Sequence, residues 1–439
     1  GTLQYTGGAV TTDRLFSVGT NSGTLDASGS GAVNFSNTGS MAFNGQTGTR
    51  SLTLTGSNTG ANTLAAIIGD NGGATTLNKT GAGEWVLSGT NTYTGTTNIT
   101  GGTLQVTNSN ALGSLPGGAV NISNGGTLDI GGGAANAINF STKQFNISGS
   151  GVGGNGAIVN SSATNSQNNA FQNITLTGDA TIGGSSRWDM RGGTPALNLG
   201  TNTLTKTGSN QISIVAGNIT GNGNIVVNQG EFAIQTGTNA TGSGTFTFNN
   251  GATLGLWNNT GNVTTAMAFN GTSTVLNESG ASTIASPMTV NGTTTFNVLN
   301  AGTTPSLTLT GQLTVNGAAV FAPALGTSLT LQGPLAGTGT ATMNGAGNLI
   351  LGANQVFNST LNLNAGTLSL AGFDLTLTTL HITGNSTIDF GSGLASILDT
   401  TNFLIDPGVT LTVTNWANTL DYFYSTNNPG LTSLSQIVF

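Results

Sequence analysis

The sequence predicts an all-β chain: a long single-stranded parallel β-helix, or β-solenoid, of roughly 20 coils with essentially no α-helix. Three observations predict it. Short alternating apolar and polar runs recur along the whole chain, glycine or asparagine ends each run, and one 26-residue stretch returns far downstream with its character kept.

The strands come first. "SLTLTG" (51 to 56), "NITLTG" (173 to 178), "SLTLTG" (306 to 311), "QLTVNG" (312 to 317), "SLTLQG" (328 to 333) and "VTLTVTNW" (409 to 416) place an apolar residue at every second position. That period is the mark of strands with one buried face. No stretch holds a 3.6-residue period, and β-branched Thr with frequent Gly and Asn disfavours helix. Gly and Asn at the run ends supply corners that need a positive φ.

The repeat selects among many-stranded architectures. Residues 81 to 106, "GAGEWVLSGTNTYTGTTNITGGTLQV", align without a gap to residues 345 to 370, "GAGNLILGANQVFNSTLNLNAGTLSL", with 9 of 26 positions identical. Trp85 meets Leu349, Tyr93 meets Phe357 and Ile99 meets Leu363. A unit of two or three short strands and glycine turns stacks on its neighbours at about 4.8 Å and buries alternate side chains. Trp85, Leu87, Tyr93, Ile99 and Leu104 are its candidate core. The predicted organisation is a β-helix over 1–148 and an irregular polar loop or seam over 149–170. The β-helix resumes over 171–415, and an aromatic cap or docking segment closes the chain over 416–439.

Composition narrows function. The chain has 439 residues, 71 of them Gly, no Cys, 7 Lys plus Arg and 14 Asp plus Glu, for a net charge of -7. No Lys or Arg follows Lys206. Nucleic acid is therefore not an expected partner. No apolar run reaches the roughly 18 residues of a membrane helix, so this segment is not expected to insert in a membrane directly. The sequence begins without Met, as a processed fragment does.

The stretch "KTGAGEWVLSGTNTYTGTTNITGGTLQV" resembles the passenger-associated β-strand repeat of bacterial autotransporter surface proteins. Lys79, Gly81, Gly83, Leu87, Gly89, Asn91, Tyr93, Gly95, Thr97, Gly102 and Leu104 fall on its pattern. The flanks look like longer repeat-bearing proteins of Verrucomicrobia-type bacteria, and the C-terminal stretch resembles the segment that precedes a PEP-CTERM sorting signal there. The resemblance implies a secreted, extracellular or cell-surface β-helix with structural or adhesive work and no catalytic residues.

The residues themselves give little chemistry. The carboxylates are scattered singly, so an acid pair would have to form across coils; Asp389 with Asp406 and Asp179 with Asp189 are the candidates. His381 is the sole histidine and lacks the companions a zinc site needs. No catalytic residue, cofactor or metal is expected. The densest polar cluster is "SSRWDMRGG": Arg187, Trp188, Asp189 and Arg191 form a possible ligand patch, the alternative being an Arg-Asp-Arg salt bridge over a core Trp. Trp416, Tyr422, Phe423, Tyr424 and Phe439 crowd the last 24 residues and either cover the last coil or dock another subunit. Three functions are therefore carried forward. The first is a structural protein that forms or decorates a fibre, matrix or sheath by head-to-tail stacking. The second is an adhesin for glycans or host surfaces, and the third is a polysaccharide-active enzyme.

Overall fold

The computed structural model describes residues 1–123, 125–302, 304–427 and 435–439. It is an all-β parallel β-solenoid of about 19 turns with essentially no helix. Among the described residues a single 3-10 turn, Val152–Gly154, interrupts the strands. The chain divides into two compact units, Gly1–Val226 and Val227–Phe439.

In the first unit two parallel ladders run side by side. One takes Thr2–Tyr5, Gly23–Ala27, Arg50–Thr55, Thr75–Lys79, Thr97–Ile99, Val120–Ile122 and Gln144–Gly149 in succession. The other takes Val10–Thr12, Val33–Phe35, Asn62–Leu64, Glu84–Leu87, Thr103–Val106 and Thr127–Asp129. The long strand Asn173–Gly184 serves both, its first half pairing with Gln144–Gly149 and its second with Ile158–Asn160. A third face carries only isolated bridges at first, Ser17 to Ala42 and Ser40 to Ile67. It becomes a ladder from Gln167–Phe171 through Trp188–Met190 to Gln211–Val215.

Coil length varies because turns absorb insertions while strands keep register. Leu77 pairs with Thr97 only 20 residues on, whereas Phe145 pairs with Ile174 29 residues on. Period-2 alternation then sends one set of side chains inward. Leu25, Leu54, Lys79, Ile99, Ile122 and Ile147 form one inward column, each opposite the next. All six are buried. Each aliphatic member contributes about 1.5–3 kcal/mol through burial. Just outside this column Asn78, Asn98, Asn121 and Asn146 form an amide ladder in which each Nδ2 donates to the preceding Oδ1 at 2.9 Å. The segment 149–170 contributes the strand Ile158–Asn160 and part of Gln167–Phe171, with Asn160 and Gln167 fully buried.

The second unit has three ladders. One runs from Gly230–Gln235 and Ala252–Trp257 through to Ile397–Ile405 and Tyr422–Asn427. The second runs from Ala281–Ile284 to Leu411–Thr414 and Ile437–Val438. A shorter third takes Thr245–Phe248, Ala266–Phe269, Met288–Val290, Leu313–Val315 and Leu335–Ala336. Phe248, Phe269, Phe296 and Phe321 run in file through the core of this unit, the first pair stacked and the others tilted, successive centroids 5.1, 6.4 and 5.7 Å apart. A second amide ladder links Asn228, Asn249, Asn270, Asn291 and Asn316. No helix among the described residues is long and apolar enough to cross a membrane.

Candidate functional site

The repeated stretch builds one coil and the start of the next, and its characteristic residues have separate tasks. Lys79 lies at an inward position with its ammonium directed at a corner. Nζ donates to the carbonyls of Thr80, Gly81 and Gly101 at 2.8, 3.0 and 2.8 Å. Burial lowers this ammonium to about 8, against the opposing pull of nearby Glu84. Glu84 is itself raised, chiefly by burial and then by Asp129. Gly102, at φ +63, closes the corner: a Cβ there would lie 2.3 Å from the Gly83 carbonyl and 2.5 Å from Lys79 Nζ.

Asn91 is buried and bridges coils, its Oδ1 accepting from Ile68 N at 2.8 Å and its Nδ2 donating to the Ala111 carbonyl at 2.7 Å. Tyr93 is fully buried, and its hydroxyl lies 2.7 Å from Thr97 Oγ1. Burial pushes that phenol up. Trp85, Leu87, Ile99 and Leu104 are fully buried beside it.

Sequence reasoning placed the aromatic and aliphatic core but missed the lysine corner. The signal was present: "KTG" occurs at 79 to 81 and again at 206 to 208. Lys206 repeats the arrangement, with Nζ donating to the carbonyls of Thr207 and Gly208 and to Asn210 Oδ1. Lys143 is also buried, donates to the Gly118 carbonyl at 3.1 Å and is lowered by burial to about 8.

Arg187, Asp189 and Arg191 do come together. Asp189 is fully buried, and its two oxygens accept from Arg187 Nε and Nη2 and from Arg191 Nη2 at 2.8 to 3.0 Å. Trp188 faces the core, fully buried against Phe171 at 5.2 Å, and its Nε1 donates to the Gly183 carbonyl. Its ring is thus not offered at the surface. The candidate acid pairs have other partners: Asp389 holds Ser369 and Asn415, Asp406 meets His381 at 2.8 Å, and Asp179 accepts from Thr203 N. Among the described residues no group of three His, Asp or Glu is placed to hold a metal.

In the terminal segment, Trp416 packs edge-on against Phe390 at 4.8 Å and Phe439 at 6.0 Å, while Phe423 packs on Phe403 at 4.8 Å. Tyr422 and Tyr424 instead point outward, 43% and 52% exposed.

These coils define a class of protein: a parallel β-solenoid whose corners and core are written into a recurring passenger-type repeat. The passenger-associated-transport-repeat pattern matches residues 77–106 and 342–370. The chain is also similar, at 49% identity over 115 residues, to a protein described as adhesin BmaC autotransporter from Brucella suis biovar 1 (strain 1330). That match covers 26% of this chain and 3% of the relative's length. No solved structure matches.

Proposed function

We propose that this chain is part of the exported, cell-surface or extracellular passenger of an autotransporter-type adhesin, and that it works by attachment rather than catalysis. The observation that carries this reading is the repeat itself, present twice and folded into solenoid coils, in a chain similar to an adhesin over 115 residues. The partitioning of its carboxylates among structural hydrogen bonds supports a non-enzymatic role. A placement among PEP-CTERM-associated proteins would rest on the resemblance of the flanking sequence.

The test is attachment. Beads coated with the purified chain should adhere to epithelial cell monolayers above beads coated with an unrelated β-solenoid. Equal adherence would remove the adhesin reading. A fibre-forming role, by end-to-end stacking through the 416–439 segment, predicts instead filaments in electron micrographs over a concentration series.

A further inference from the structure

The structure removes most of the positive charge from the surface. Of seven Lys and Arg, four are buried: Arg50, Lys79, Lys143 and Lys206. Arg50 directs Nη1 and Nη2 to the carbonyls of Val18, Gln46, Gly48 and Asn71, as the lysines direct theirs to corner carbonyls. Arg187 and Arg191 are paired with Asp189, and Arg14, with its side chain 90% exposed, stands beside Asp13. The second unit contains no Lys or Arg. A sulfated, sialylated or phosphorylated ligand would find no cationic fork there to receive it.

That unit does hold an outward face of different chemistry. Tyr422 and Tyr424 project from the same side of the strand Tyr422–Asn427, ring centroids 5.8 Å apart and planes within 2° of parallel. Across the ladder Ile397 pairs with Tyr422 and Asp399 with Tyr424, so the rings, an aliphatic side chain and a carboxylate share one patch. Asp399 is exposed. Neither phenol hydroxyl nor the Asp399 carboxylate has a hydrogen-bond partner among the described residues. Asp26, Asp70, Asp129, Asp179, Asp374 and Asp421, by contrast, all hold backbone or side-chain donors.

The geometry points to this patch as a binding site for an uncharged saccharide. The two rings stack on each other, so each offers an outer face and an edge, and a flat aromatic face suits the C–H face of a pyranose. The Asp399 carboxylate then accepts from the sugar hydroxyls while the phenols accept or donate, and the carboxylate bonds are the stronger for being charge-assisted. The assignment rests on the adhesin reading, which supplies the reason for a surface ligand.

The experiment is affinity electrophoresis of the full chain through gels containing dextran, β-glucan, mannan or galactan, with sulfated dextran as the charged counterpart. At least one uncharged polymer should retard the chain, with retardation unchanged between about 0.05 and 0.5 M salt, since no charge pair is used. Tyr422→Ala/Tyr424→Ala should weaken it roughly tenfold, as expected for loss of aromatic anchors. Asp399→Asn should weaken it severalfold, and both variants should keep the parent's circular dichroism melt. Retardation by sulfated dextran alone, by none of the polymers, or equally in the variants would overturn the site. So would self-association in the ultracentrifuge that the tyrosine substitutions abolish, which would assign the face to a second copy. Bead adherence measured on the same variants separates the two readings: adherence that survives with no saccharide binding sinks this site and leaves the adhesin, whereas adherence absent from the parent chain sinks both.

Discussion

Lys79 and Met343 occupy the same inward corner of two repeat coils, each pressed against the corner glycine that follows it, Gly102 and Gly366. A Cβ on Gly102 would meet Lys79 Nζ at 2.5 Å, and one on Gly366 would meet Met343 Cε at 2.8 Å. One corner is held by an ammonium that collects carbonyls and the other by a thioether of similar length. The exchange extends inward: buried Tyr93 and Thr97 of the first copy are replaced by Phe357 and Leu361 in the second, so hydroxyl partners are lost together. Asn91 becomes Gln355, which keeps only the backward half of the bridge, accepting from Leu335 N and donating to the Gly333 carbonyl of the preceding coil.

The buried lysines set a pH dependence. Lys79 and Lys143 are lowered to about 8, below the unfolded value of about 10.5. Between those values the unfolded chain binds more protons than the folded one, so their contribution to stability rises with pH across that window. The thermal midpoint of the Lys79→Met/Lys143→Met variant should therefore fall behind the parent's as pH is raised from 7.5 to about 9.5. Parallel profiles would show that neither ammonium is depressed.

The Tyr93–Thr97 pair is tested by a double-mutant cycle. Tyr93→Phe should cost about 1–2 kcal/mol in urea unfolding by leaving Thr97 Oγ1 buried without its partner. Thr97→Val added to it should cost less than the sum of the two single changes, as the second copy's Phe357 and Leu361 suggest. Full additivity would mean that the hydroxyls do not interact.

Glycines at positive φ separate strain from overlap. Gly45, at φ +70, has no neighbour within 4 Å of a built Cβ, so Gly45→Ala carries only the conformational cost of about 1 kcal/mol. Gly102→Ala adds overlap with the Gly83 carbonyl and should lose about 2 kcal/mol or more. Equal losses would place the corner's rigidity elsewhere.

Asp189 neutralises two partly exposed arginines from a fully buried position. Asp189→Ala should destabilise by about 2 kcal/mol, less than a wholly buried pair because solvent screens the arginines. A loss under about 0.5 kcal/mol would mark the cluster as an ordinary surface ion pair.

Much of the fold was legible because its signal is local. Strand after strand shows the alternation in "SLTLTG", and Gly and Asn mark where strands stop, since backbone sterics act within a few residues. The repeat core was legible for the same reason: Ile99 and Leu104 alternate with polar residues, and Trp85 and Leu87 sit two apart, on three short strands. Charged residues were less so. Arg187, Asp189 and Arg191 were readable as one face of a strand, but the inward course of Lys79, Lys143 and Lys206 contradicts the surface habit of lysine, and only the corner carbonyls explain it.

The amino-acid sequence by itself determined the all-β class, the stacking of coils and the repeat's core, because a period of two and a unit that recurs leave few other ways to bury alternate residues. Tertiary structure alone decided which residues meet across coils, since turn lengths that vary from coil to coil set that register. It placed Asp406 against His381 rather than Asp389, spent four of seven cations on backbone carbonyls, and left Tyr422, Tyr424 and Asp399 together on an outward face.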